Sequence, residues 1–146
     1  MSPIISGGGS SGGTSLTTVD AHLTADVPLT SGAYVDGTSA SFAAGTWLIV
    51  YKCVCALSGA QEEEYTARLW DGTTIYDESQ NDVQTTAPSA GDVCEVTGLA
   101  VVVLAATTTL KVSVRADHAS QVLKQDVTAG SGSSHTATRL SGVKVA

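Results

Sequence analysis

From about residue 25 to its last residue the chain repeats one piece of grammar: an alternating, β-rich segment, a short turn, then another such segment. The plainest instance runs through Glu64-Tyr65-Thr66-Ala67-Arg68-Leu69-Trp70, then Asp71-Gly72, then Thr73-Thr74-Ile75-Tyr76. Asp-Gly between two alternating runs signals a hairpin with a two-residue turn, because both turn positions need φ > 0 and Gly supplies it without strain. No stretch carries apolar residues at i, i+3, i+4 and i+7 for three turns without a Gly or a Thr run interrupting. The 42% hydrophobic content comes mainly from Ala, Val and Leu, with one Phe and one Met. Together with abundant Thr, this suits pleated, half-buried surfaces. The chain reads as one all-β domain, and 146 residues suffice for a sizeable core.

The longest clean alternation covers residues 46–56. Trp47, Ile49, Tyr51, Cys53 and Cys55 share one face there, and Leu48, Val50, Lys52, Val54 and Ala56 share the other. A strand apolar on both faces must be covered on both. One face meets the opposing sheet, and another subunit is the simplest cover for the second. Trp47, Ile49 and Tyr51 are the candidate subunit-interface residues, and both Trp47 and Trp70, in alternating strands, read as core. Residues 107–117 alternate with Leu110, Val112, Val114 and Ala116 inward and Lys111, Ser113 and Arg115 outward. Pro28 marks an edge strand or a strand end, Asp36-Gly37 reads as a turn, and Gly98 and Ser141-Gly142 read as bulges. Residues 77–91 read as a polar loop. Eight or nine strands at short spacing make an antiparallel two-sheet sandwich, best counted as a jelly roll of about eight strands.

Residues 1–24 differ in kind. Residues 6–15 are a Gly/Ser tract that cannot bury enough surface to offset its ordering entropy. Ile4 and Ile5 precede the tract, and Leu16 and Val19 follow it. The expectation is a flexible N-terminal arm whose four apolar residues bind a partner subunit, with the jelly-roll domain in residues 25–146.

Net charge is −7, and the seven basic residues are scattered singly. No basic stripe is present for a phosphate backbone, so nucleic-acid binding is not expected. The longest apolar run, residues 99–106, is far short of the roughly 20 residues that span a bilayer, and the N-terminus has no signal-peptide pattern. No membrane partner is expected. Three Cys do not make a disulfide framework, and all three read as buried small apolar residues.

Candidate chemistry is thin. Gly8-Gly9-Ser10-Ser11-Gly12 matches G-x-S-x-G formally, but lies in a Gly/Ser tract without the strand and helix that motif needs. A zinc site from Cys53, Cys55, Cys94 and one His is conceivable without any supporting spacing. Asp77, Glu78, Asn81 and Asp82 suggest at most a loop around Ca²⁺, with a solvated loop favoured. Glu62-Glu63-Glu64 reads as a charged strand end that discourages edge pairing. No catalytic residue, metal site or cofactor is assigned.

A resemblance rests on three pieces of sequence. They are Pro28-Leu29-Thr30 with Asp36-Gly37, Phe42-Ala43-Ala44-Gly45-Thr46-Trp47-Leu48-Ile49, and Ala67-Arg68-Leu69-Trp70-Asp71-Gly72-Thr73. With the ending Leu140-Ser141-Gly142-Val143-Lys144-Val145, this series resembles small jelly-roll domains of tailed-bacteriophage virion proteins, similar to the complement C1q and tumour-necrosis-factor fold. The resemblance implies a homotrimer on the virion surface, contacting the major capsid protein or other virion subunits. It implies a non-enzymatic part: a capsid decoration (cement) protein or, alternatively, a receptor- or carbohydrate-binding module of a head fibre or tail appendage.

Overall fold

A computed structural model describes residues 16–57, 62–83, 92–118, 121–128 and 134–146. Among the described residues the strands are, in chain order, β1 (Thr18–His22), β2 (Val27–Pro28), β3 (Val35–Phe42), β4 (Gly45–Ala56), β5 (Glu63–Trp70) and β6 (Ile75–Val83). There follow β7 (Val93–Leu104), β8 (Thr108–Ala116), β9 (Val122–Leu123), β10 (Asp126–Thr128), β11 (Ser134–Thr136) and β12 (Arg139–Lys144).

Sheet I is organised around β4. Along one edge β7 pairs with it antiparallel from end to end. Along the other, β12 pairs with residues 47–52 and β9 with Cys55 and Ala56. β1 extends the sheet beyond β12, and β2 extends it beyond β9. Sheet II has the order β3-β8-β5-β6, and β10 and β11 form a separate pair. Two antiparallel sheets of this kind form the expected all-β jelly roll. Pro28 sits in the terminal strand β2, where no ladder partner needs its missing N–H.

The core lies between the sheets. Trp47, Ile49, Tyr51, Cys53 and Cys55 of β4 pack in one cluster with Leu110, Val112 and Val114 of β8 and Tyr65, Ala67 and Leu69 of β5. Phe42 meets Trp47 edge to face, ring centroids 5.0 Å apart at 88°. Trp47 Nε1 donates to the Ala43 carbonyl at 2.8 Å, so the one polar atom of the indole is not orphaned.

Several local expectations are corrected. Residues 71–74 form a four-residue connection, with a register shift at the end of β5. Asp71 Oδ1 accepts the Thr74 and Thr73 N–H groups at 2.7 and 2.8 Å, and these bonds hold its carboxyl well below the usual range. Asp36-Gly37 is no turn but an irregularity inside β3. Gly98 and Gly142 are not bulges, since both stand in unbroken ladders opposite Tyr51 and Ile49. They are close-approach positions: a Cβ on Gly98 would lie 2.1 Å from Tyr51 Cζ, and one on Gly142 2.6 Å from Phe42 Cε1. β6 runs to Val83, well into the span expected as a loop. Glu63, expected as an exposed strand-end charge, is buried in the central strand β5. Its carboxylate accepts the His118 N–H at 2.9 Å and faces the His118 ring at 3.1 Å.

The body of the fold also begins earlier than residue 25. β1 pairs with β12 over five positions, from Thr18↔Val143 to His22↔Arg139, and Leu23 is buried behind it. Residues 18–23 are therefore part of the sandwich and not part of a tether. Residues 1–15 of the expected arm, with Ile4, Ile5 and the G-x-S-x-G match, lie outside the described residues.

Candidate functional site

Two faces of the sandwich point outward, and their chemistry is different. On sheet I, strand alternation and register set the outward side chains in cross-strand rows. One row is Thr18, Val143, Leu48 and Val101; the next is Asp20, Ser141, Val50 and Leu99; the next is His22, Arg139, Lys52 and Thr97. Beyond the first row the Lys144 N–H donates to the Thr17 carbonyl at 2.9 Å and the Val145 N–H to the Thr46 carbonyl at 2.8 Å. These bonds continue the register, so Leu16, Val145, Thr46 and Val103 form one more row. The two rows at that end are apolar apart from threonine, and the fourth is polar.

This apolar end is open. Val103 is 73% exposed, Val101 68% and Leu99 61%, with Leu48, Val50, Val145 and Leu16 exposed beside them. Scattered exposed apolar residues are ordinary, but a contiguous set on one flat sheet, rimmed by charge, marks a contact surface. The rim is formed by ion pairs of Lys52 with Glu95 and of Arg139 with Asp20, both at 3.1 Å. Ser141 Oγ also donates to Asp20 at 2.5 Å, which together with Arg139 holds the Asp20 carboxyl below its usual range. Val50, Lys52, Thr97, Arg139 and Ser141 line a depression of about 360 Å³ where the apolar and charged rows meet.

The residues expected at a subunit interface are not on this face. Trp47, Ile49 and Tyr51 are 1%, 0% and 0% exposed within the single chain, on the inner face of β4. Their half of the alternation already meets sheet II, which corrects the expectation: the face of β4 left uncovered is that of Leu48 and Val50. Of the expected arm residues, Leu16 is exposed at the end of this face, whereas Val19 packs partly buried against the core from β1.

On sheet II the outward face is polar and aromatic. Asp36, Ser113, Arg68 and Glu78 form one cross-strand row through β3, β8, β5 and β6. The Arg68 guanidinium lies between two rings, 3.8 Å from the Tyr34 centroid and 3.7 Å from that of Trp70. Lys111 Nζ also lies 4.5 Å from the Trp70 centroid. Trp70 Nε1 donates to Ser113 Oγ at 2.6 Å, Ser113 Oγ donates to Asp36 at 2.5 Å, and Lys111 pairs with Asp36 at 2.6 Å. Burial pulls the Asp36 carboxyl up, but the Lys111 and Ser113 bonds outweigh it and hold the group below its usual range. Tyr34 Oη donates to Glu78 at 2.8 Å. Trp70, expected in the core, thus stands on the outside of sheet II, and the alternation of β5 with Leu69 inward is the reason.

The candidate metal ligands do not converge. Asp77 accepts from Tyr51 Oη at 2.9 Å, Glu78 from Tyr34, and Asn81 donates to the Glu95 carbonyl at 2.8 Å, so each is held by a different neighbour. Cys55 and Cys94 are cross-strand partners with Cys53 on the same buried face. Among the described residues no three His, Cys, Asp or Glu side chains gather where they could hold a metal ion. No helix among them is long and apolar enough to cross a membrane.

No family model matches this sequence, and no characterised protein matches it by sequence. Solved structures do match the fold. Eiger TNF from S. frugiperda superposes with a TM-score of 0.58 at 11% identity, over 90% of this chain and 93% of that one. A chain in the structure of infectious bursal disease virus, Gx strain, superposes with a TM-score of 0.51 at 12% identity. That match covers 89% of this chain but 33% of the other, so this chain spans about a third of that protein's length. At such identities the likeness is one of fold: the chain is a jelly roll of the kind found in a tumour necrosis factor and in a virus particle.

Proposed function

We propose that this chain is a non-enzymatic structural protein of a tailed-bacteriophage particle, a homotrimeric capsid decoration protein that bridges and stabilises neighbouring shell subunits. The observation that carries the reading is the open apolar end of sheet I, where Leu48, Val101 and Val103 stand exposed beside Leu16 and Val145. A face of this kind calls for a permanent partner, and a second and third copy of the same chain supply one with matching chemistry. The fold likeness to a tumour necrosis factor and to a virus-particle chain supports an assembling jelly roll, and the net charge of −7 keeps free copies apart until the specific contact forms. The residues that precede Leu16 in the chain, Ile4 and Ile5 among them, serve as the tether to the shell. The role is mechanical. Whatever binds the assembled shell and not its separated parts stabilises the shell by mass action.

Light scattering at micromolar protein should return three chains per particle, and Val101→Glu should return one with the fold intact. A single chain at all concentrations and in the assembled particle would overturn the trimer. Particles carrying the protein should retain their genome on heating beyond the point at which particles lacking it open. The outward Trp70, Tyr34 and Arg68 favour a second reading, a receptor- or carbohydrate-binding module of a head fibre or tail appendage. Equal heat survival with lost host attachment would select it.

A further inference from the structure

The outer face of sheet II holds a cation whose hydrogen-bond donors are unused. Arg68 makes no hydrogen bond or ion pair among the described residues; its Nε is buried without a partner, its guanidinium lies against the rings of Tyr34 and Trp70, and its charge helps to hold the Asp36 carboxyl low. Every other polar group around it is engaged: Asp36 by Lys111 and Ser113, Glu78 by Tyr34, Trp70 Nε1 by Ser113. The two rings flank the guanidinium, at 3.8 and 3.7 Å from its carbon to their centroids, and hold the group in place. What Arg68 lacks is an acceptor of its own.

We propose that Arg68, clamped between Tyr34 and Trp70, anchors a docking site for a carboxylate-bearing segment of a partner protein. A planar guanidinium presents two parallel N–H donors at its terminal edge, the geometry that a carboxylate accepts bidentately. The clamp removes most of the rotamer freedom that an arginine would otherwise lose on binding, so the donor pair is preorganised. Of the two kinds of partner that a receptor- or carbohydrate-binding face could take, the covered ring faces favour a protein. Arg68 covers one face of each ring and Lys111 also lies against Trp70, which reduces the aromatic platform on which a pyranose could stack. Trp, Tyr and Arg are, in contrast, the residue types that carry most binding energy at protein interfaces. The site is on the opposite sheet from the apolar face and does not rest on the assembly reading, so either can fail alone.

The test uses the full chain, ¹⁵N-labelled, titrated with a blocked glutamate octapeptide, its glutamine counterpart and sodium glucuronate. The glutamate peptide should shift the Trp70 Nε1–H and Arg68 Nε–H signals saturably, and the glutamine peptide should not. Arg68→Lys keeps the charge but loses the planar edge, and should weaken the Trp70 response by about tenfold. Equal response to the glutamine peptide, or unchanged affinity in Arg68→Lys, would overturn the proposal. A stronger response to glucuronate than to the glutamate peptide would overturn the protein partner in favour of an acidic saccharide. If Arg68→Lys does not fold, the contrast between the two peptides on the unsubstituted chain decides.

Discussion

Single residues show what sequence cannot see locally. Gly98 and Gly142 carry the signature of a bulge, yet each is a seat for a ring from elsewhere: Tyr51 over Gly98, Phe42 over Gly142. The information sits in the partner and not in the glycine. Gly98→Ala should therefore destabilise the fold by about 3 kcal/mol, as overpacking of a rigid ring against backbone does. Urea unfolding measures it, and the penalty should shrink in a Tyr51→Leu background, because the two sites couple through one contact. The cysteines were legible, since alternation alone puts Cys53 and Cys55 on one face. Burial pushes the Cys53 thiol up to about 12 and Cys94 to about 11, with Cys55 well above its ordinary value. A thiol reagent at pH 8 should find none of the three in the native chain and all three after unfolding. Thiols raised in the folded state keep their protons where the unfolded chain has lost them. Stability should accordingly be flat near neutrality and fall as pH rises above about 8.5, where unfolded thiols ionise. A rise in melting temperature over that interval would contradict the burial of these groups.

At the scale of elements, strands with one polar face were readable and the strand with two apolar faces was not. β8 alternates Leu110, Val112 and Val114 with Lys111, Ser113 and Arg115, and period alone assigns its inner side. β4 offers no such choice. What decides it is cross-strand volume: Tyr51 faces Gly98 on β7, and Ile49 is flanked by Ala100 and Gly142, small residues leaving room for large ones. On the other side Leu48 is flanked by Val101 and Val143, with nothing small to fit under a ring. That pattern requires knowing which strands are neighbours, and local sequence does not say. β1 was missed for a related reason. Its Thr18, Asp20 and His22 alternate with Val19 and Ala21, but the run is short and follows a Gly/Ser tract, so the tract's composition dominated the reading. Truncation separates the two segments. Removing residues 1–15 should leave the melting temperature within about 2 °C of the full chain, because no described core residue is lost. Removing residues 1–24 deletes β1 and the buried Leu23, opens the edge of β12, and should cost about 3 kcal/mol or more. Calorimetry of the two truncations checks this, and equal stability would restore residue 25 as the start of the domain.

At the scale of the molecule, a two-layer sandwich offers two outward faces, and this chain has written a different chemistry on each. Sheet I shows an apolar end with a charged rim; sheet II shows an arginine clamped by two rings within a closed polar network. The core between them is buried, and no described side chain is shared by the two faces. Contacts without shared partners add nearly independently. Substitutions on one face should therefore leave the other working. Val101→Glu puts a charge between the exposed Val103 and Leu99 on β7 and should convert an oligomer to single chains, while the Trp70 signal keeps its response to a glutamate peptide. Arg68→Lys should abolish most of that response and leave the assembled mass unchanged. Light scattering and the Trp70 Nε1–H titration on both variants read the two properties side by side. If Val101→Glu also silences Trp70 in a chain that is still folded, the sheet II site is built across subunits. The two faces would then be one site, completed only by assembly.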